Sequence, residues 1–254
     1  MSPVCVNEGG PASRIRVDDR LQLEQEAAVG ASGCEALRRW QARCGEILTV
    51  TDADQRCYRA RLICWRQDEA RLVPFELLAE PESPVDIWVY QALPEKERFE
   101  WILQKLTEIG VQRVVPFVSA RSTTLEQHDA PQPKSHRWPE VVRRAARQCR
   151  RAQLPQLTAV VDWPTLLADL ALADVKLLLA EKGPRWSLAE GLGRQRPQQV
   201  AVIVGPEGGF TDEEIAAAQA AGAVPLMLGP RLLRTETAAL VAAALVQGRV
   251  GDYV

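Results

Sequence analysis

The chain has 254 residues, 46% hydrophobic and 25% charged, with a formal net charge of −2. Such a length and balance suit a folded protein of one large or two modest domains, and argue against a surface basic throughout. No apolar run reaches the roughly 20 residues of a membrane span, and Met1-Ser2-Pro3 opens no signal segment, so a cytoplasmic protein is expected.

Residues 1 to about 30 carry little beyond IRVDD at Ile15–Asp19. From Cys44 to Leu78, the segments EILTVTD, CYRARLICW and ARLVPFELL alternate apolar and polar residues between polar turns. This is a β meander, and with an N-terminal strand it predicts a small barrel. Pro81–Pro84 is an acidic, proline-bearing joint, which divides the chain into domains 1–82 and 83–254. The six cysteines form no Cys-x-x-Cys pair and there are two histidines, so free thiols and no metal are expected.

DIWVYQAL predicts the first strand of the second domain. Phe99, Ile102, Leu103, Leu106 and Ile109 then recur at helical spacing up to Gly110, and RVVPFVS predicts another strand. Lys105 and Glu108, one turn apart, are a surface ion pair or part of an RNA or dimer interface. The segment from Arg121 to Pro133 reads as an exposed loop. Trp138-Pro139 opens a helix in which Val141, Val142, Ala145, Ala146 and Cys149 can face inward while Arg143, Arg144, Arg147, Arg150 and Arg151 project. Residues 134–151 hold seven Lys or Arg against one Glu. That face is either solvated or set against a polyanion such as a phosphate backbone.

A helix at Pro164–Leu172 precedes a strand and loop at Val175–Gly183, and residues 184–198 read as a polar connection. Val200–Val204 is a buried strand ending at Gly205. Thr211 with Glu214 makes a capping box that starts a helix at Asp212, and Gly222 stops it. Leu226–Leu228 repeats the strand, Gly229-Pro230 repeats the break, and Thr235 is the N-cap of a closing helix. The helix Thr237–Val246 is apolar almost all round, which suits either a core helix or an interface. The alternation predicts an α/β fold with a parallel sheet whose two glycine loops emerge together. Either both loops are simple turns, or Gly205, Gly208 and Gly209 let backbone N–H groups approach a small polar or anionic ligand beside a helix N-terminus.

GPEGG at Gly205–Gly209 and LGPRLLRTETA at Leu228–Ala238, with QKLTEIGV at Gln104–Val111, resemble signature stretches of the RsmE family of SPOUT methyltransferases. The resemblance implies S-adenosylmethionine-dependent methylation of N3 of a uridine in small-subunit ribosomal RNA, acting on that RNA or the subunit particle. It also implies a parallel sheet flanked by helices with a C-terminal deep trefoil knot, a PUA-like N-terminal β-barrel that binds RNA, and a homodimer packed through the knot domain. The cofactor would lie against Leu179, Ala180, Val204, Gly205, Pro206, Glu207, Gly208, Leu228, Gly229 and Leu233.

Arg234 would stabilise the developing uracil anion, because a guanidinium stays charged. Glu236 or Glu207 would take the proton or orient Arg234, although Glu236 in a first helical turn also has an ordinary dipole-pairing role. RNA contacts would fall to Arg14, Arg16, Arg38, Arg121, Arg143, Arg147 and Arg151. The match departs from the family pattern at Gln41, where an arginine is usual, and at Arg147, where an acid is usual. A non-catalytic RNA-binding or ribosome-assembly factor of the same fold is the alternative. A dinucleotide oxidoreductase is disfavoured, since GPEGGF is not Gly-x-Gly-x-x-Gly.

Overall fold

The computed structural model describes residues 6–66, 69–94, 98–130, 132–181, 186–193 and 196–253, which fall into two compact units. Cys5, Gly183 and parts of the expected connection at 184–198 lie outside the described residues. The first unit comprises Glu8–Glu82 and Arg143–Gln156; the second comprises Ser83–Val142 and the chain from Leu157 onward, with Val6 and Asn7. Residues 143–156 therefore group with the N-terminal part of the chain, not with the 83–254 domain to which the sequence assigns them.

In the first unit β1 (Ile15–Arg16), β2 (Ala27–Val29), β3 (Ile47–Thr51), β4 (Cys57–Arg66) and β5 (Glu69–Leu78) form one sheet in the order β1-β3-β4-β5-β2. Its pairs are antiparallel except β1 with β3. Tyr58, Ala60 and Leu62 of β4 and Ala70 and Leu72 of β5 are buried, the period-two pattern of a strand with one face on a core. Register shifts at Arg59/Ala60 and Leu62/Cys64 mark bulges that bend this long pair. Helix α1 (Ala31–Trp40) lays Cys34, Leu37 and Trp40 on the same core. It ends at Gln41, whose φ of 47° is left-handed, a position that glycine usually fills.

From Asp86 onward strands and helices alternate: β6 (Asp86–Ala92), α2 (Arg98–Ile109), β7 (Arg113–Val118), α3 (Leu125–Asp129), α4 (Trp138–Gln148), β8 (Gln156–Leu157), β9 (Val161–Asp162), α5 (Trp163–Asp169), β10 (Val175–Leu179), α6 (Leu188–Leu192), β11 (Gln199–Val204), α7 (Asp212–Ala220), β12 (Val224–Leu226) and α8 (Thr235–Val250). The sheet runs β12-β10-β11-β6-β7-β8, with β9 also beside β7. The pairs from β12 through β7 are all parallel. Strand β11 is central and buried from Val200 to Val204, so its side chains serve two cores. Val202 packs with Phe99, Ile102, Leu103 and Val246 on the α2 and α8 side, and Ile203 packs with Tyr90, Phe117, Leu166 and Phe210 on the other. An α/β fold with a parallel sheet flanked by helices is what the alternation predicts.

Several local expectations are corrected. The strand expected at Leu226–Leu228 ends at Leu226, because the chain turns at Gly229, whose φ is 86°. The helix expected at Pro164–Leu172 is α5 followed by a 3-10 turn at Leu170–Leu172. Short helices α3 and α6 occupy segments read as loop and connection, each started by a capping box, Thr124 with Gln127 and Ser187 with Glu190. Among the described residues Cys34, Cys44, Cys57, Cys64 and Cys149 form no disulfide. Within one chain α8 buries Ala239, Ala242, Ala243 and Val246 but leaves Leu245 46% exposed. No helix among the described residues is long and apolar enough to cross a membrane.

Candidate functional site

Because β12, β10 and β11 are parallel neighbours, their carboxyl ends release three loops at one edge of the sheet, the usual place for a ligand in an open α/β fold. Among these loops lies a cavity of ≈520 Å³, within the size range of small-molecule sites. Leu179, Ala180, Val204, Gly205, Pro206, Glu207, Gly208, Leu228 and Leu233 line it, and so does the exposed Arg234. Gly229 does not; it supplies the turn between Leu228 and Pro230. Glu236 does not line it either, and lies in the first turn of α8 with its Oε2 buried and unpartnered.

The glycine loop is held by its neighbours. A Cβ at Gly205 would come 2.9 Å from the Phe210 ring, so glycine lets that ring close over the end of β11. At Gly208 a Cβ would meet the Arg121 Cβ at 3.1 Å, and the Arg121 guanidinium donates to the Gly208 carbonyl at 3.0 Å. Arg121, expected on RNA, is thus a wall of the cavity whose head is bonded to the loop. Glu207, expected to serve Arg234, instead accepts from Arg98 at 2.8 Å.

Thr235 is not the N-cap that its type suggests. Arg234 holds that position without a side-chain cap, and Thr235 is the first helical residue. Its hydroxyl donates to the Gly205 carbonyl at 2.6 Å and accepts from Gln91 Nε2 at 2.9 Å, so a long-range donor takes the place of the local amides on its oxygen. Neither Gln91 nor this bond has a signal in the local sequence.

The capping box of α7 forms as expected, with Glu214 N–H donating to Thr211 Oγ1 at 3.2 Å and Thr211 N–H to Glu214 Oε2 at 2.9 Å. Glu214 Oε1 also accepts the Ala120 N–H at 2.8 Å. With Asp212, Glu213 and Glu214 all in the first turn, this terminus carries carboxylates rather than a free positive end. It is therefore not the anion site that the glycine loop suggested. The exposed Glu213 carboxyl is held below its usual range by its own backbone N–H and the Thr211 hydroxyl.

Among the arginines of the first unit, Arg14, Arg16 and Arg38 are exposed. Arg14 donates to Gln153 at 2.9 Å and Arg38 to Glu35 at 2.8 Å. Arg143 is half-buried. Two expected RNA contacts are corrected. Arg147 donates to the carbonyls of Trp40 and Gln41, where it caps the carboxyl end of α1 and satisfies groups the helix leaves open. Arg151, expected to project, is 7% exposed and pairs with Glu82 at 2.7 Å, whose other oxygen accepts the Ala152 N–H at 2.6 Å. Among the described residues no group of three His, Cys, Asp or Glu could hold a metal ion.

Comparison with known proteins places this geometry. The family model described as an RNA methyltransferase domain matches residues 81–247. The ribosomal RNA small subunit methyltransferase E of Mycobacterium bovis is 32% identical over 221 residues, which cover 85% of this chain and 84% of that protein. A methyltransferase of Legionella pneumophila solved with bound SAM superposes with a TM-score of 0.64 at 32% identity, covering 94% of this chain and 98% of its own. A ribosomal RNA small subunit methyltransferase E from Neisseria gonorrhoeae, bound to S-adenosyl methionine, gives 0.64 at 27% identity, covering 95% and 99%.

Proposed function

The chain belongs to the RNA methyltransferase domain family, and from that premise we propose that it transfers a methyl group from S-adenosylmethionine to N3 of a uridine in small-subunit ribosomal RNA. The observation that carries the proposal is the ≈520 Å³ cavity at the shared carboxyl edge of β10, β11 and β12, because the GPEGG and LGPRLLRTETA stretches both contribute to its wall. The residues suit that cofactor. Leu179, Val204, Leu226 and Leu228 offer apolar walls, and the glycine loop offers backbone groups at close range.

When bound, S-adenosylmethionine supplies an electrophilic methyl on a sulfonium centre. Arg234 at the cavity wall holds a permanent positive charge and a fork of donors. It stabilises the negative charge that spreads over the uracil ring as the N3 proton leaves, and as a group that stays protonated it is not the base. Glu236, which does not line the cavity, is assigned to the orientation of Arg234 rather than to that proton; its buried, unpartnered Oε2 supports this role.

The exposed Arg14, Arg16 and Arg38, with Arg143, are assigned to the RNA backbone, where positive charge displaces counterions. The first unit is taken as a PUA-like β-barrel and the second as a SPOUT domain with a deep trefoil knot at its C-terminal end. Two chains are taken to pair through α8, an arrangement supported by the exposed Leu245. A cytoplasmic location follows from a ribosomal substrate.

Mass mapping of ribosomal RNA from cells lacking the protein tests the proposal. One uridine in the small subunit should lose a methyl group, and purified protein with S-adenosylmethionine should restore it. RNA binding without methyl transfer would instead favour the non-catalytic assembly factor.

A further inference from the structure

The end of β11 poses a problem of hydrogen bonding. Val204 is the last residue of the strand and is flanked by Gln91 of β6 and Leu179 of β10. The next carbonyl, on Gly205, leaves the ladder and still needs a donor. That donor is the hydroxyl of Thr235, 30 residues away in sequence and 2.6 Å away in space.

The direction of the bond is set from behind. Gln91 is fully buried, and its Nε2 donates both to the Ala92 carbonyl and to Thr235 Oγ1, each at 2.9 Å. Turning the amide over would aim its oxygen at the Ala92 carbonyl, so the orientation is fixed by mutual repulsion. Thr235 therefore accepts from Gln91 and has its single proton left for Gly205. Each bond polarises the next, as in other buried chains of donors. The opposite oxygen of Gln91 is buried without a partner, a cost of the kind that accompanies an amide held for its N–H side.

We propose that Thr235 is a positioning residue, which ties the Gly205–Gly208 loop to the start of α8 and so holds Arg234 in place against that loop at the cavity wall. Gln91 acts through it. The inference rests on the cavity being the S-adenosylmethionine site. Thr235 lines that cavity and Arg234 is its immediate neighbour in the chain, so one hydroxyl holds in register the loop that receives the methyl donor and the residue that faces the acceptor.

The test is a set of substitutions at Thr235 read by titration with S-adenosylmethionine, by steady-state kinetics on ribosomal RNA and by thermal melting. Thr235→Val keeps the shape and removes the donor. It should raise both the dissociation constant and the KM for S-adenosylmethionine at least about tenfold, which is about 1.4 kcal/mol. Thr235→Ser, which keeps the hydroxyl, should stay within about threefold of the native values. A loss of folded fraction would lower kcat and leave KM unchanged, which separates positioning from support. Native KM in Thr235→Val, or a defect as large in Thr235→Ser, overturns the proposal. If the valine variant does not fold, Thr235→Ala against Thr235→Ser decides: a defect in alanine alone sustains it, and none or both overturns it. Ala180→Trp, which fills the cavity, separates the two inferences. If Ala180→Trp still binds S-adenosylmethionine normally, the site itself is wrong. If it abolishes binding while Thr235→Val binds as the native protein does, only the role of Thr235 is wrong.

Discussion

Replacing Gly205 by alanine should weaken cofactor binding through a single steric contact. The new Cβ would sit 2.9 Å from Phe210 Cε2 and 3.2 Å from Cδ2 and Cζ. Carbon atoms pack best at roughly 3.5–4.0 Å, so the ring must recede by about 0.6–1 Å. It has little room to do so. Phe210 is 7% exposed, and its ring lies parallel to Phe117 at 6.4 Å and tilted against Trp163 at 5.4 Å. Gly205 itself has no positive φ, so backbone strain adds nothing and the cost is overpacking, about 1–3 kcal/mol. Expressed wholly in the loop that lines the cavity, it lowers affinity for S-adenosylmethionine by roughly 5- to 150-fold. Calorimetric titration measures the loss, and a thermal melt assigns the remainder to folding. The double variant Gly205→Ala, Phe210→Leu removes the ring that is struck and should recover most of the affinity. Native affinity together with a native melting temperature in Gly205→Ala would refute the reasoning.

Arg234→Ala should lower methyl transfer by about 100- to 1,000-fold, the usual cost of one donor to a developing anion, while S-adenosylmethionine binds nearly as before; single-turnover kinetics would expose an error if transfer persists. Arg151→Ala should destabilise the protein by about 3–5 kcal/mol in urea, because it leaves the buried Glu82 carboxylate without its cation, and should leave the salt dependence of RNA binding unaltered. By contrast, Arg98→Ala breaks a pair 38% and 36% exposed and should change stability by no more than about 1 kcal/mol. Burial acts to raise the Asp129 carboxyl, but bonds from the Ser135 hydroxyl and the Lys134 N–H outweigh it and hold the group below its usual range. Its stabilising effect should therefore be complete above the ordinary carboxylate range and fade as pH falls through the lowered value; a matching acid profile in Asp129→Asn would contradict this.

What the chain determines by itself is local. The β-branched run Val200–Val204, the Thr211–Glu214 capping box and the left-handed Gly222 are each written within a few residues, and the structure contains all of them. The same capping signal also marks α3 and α6, but it stands there before five-residue helices whose short apolar patterns read as loop. Two glycine loops were legible in order, and the parallel register that sets them around one cavity could be expected from the β/α alternation. Partner choice was not. Five arginines were visible on and after one helix, but which of them meet a carbonyl, a carboxylate or water depends on residues about 70 to 107 positions away. Thr235 carries the side chain of an N-cap, yet its oxygen accepts from Gln91 and its proton goes to the Gly205 carbonyl 2.6 Å away, because folding brings both partners to it. A polar group binds whichever partner burial leaves unsatisfied, and only the tertiary structure decides which groups are buried together.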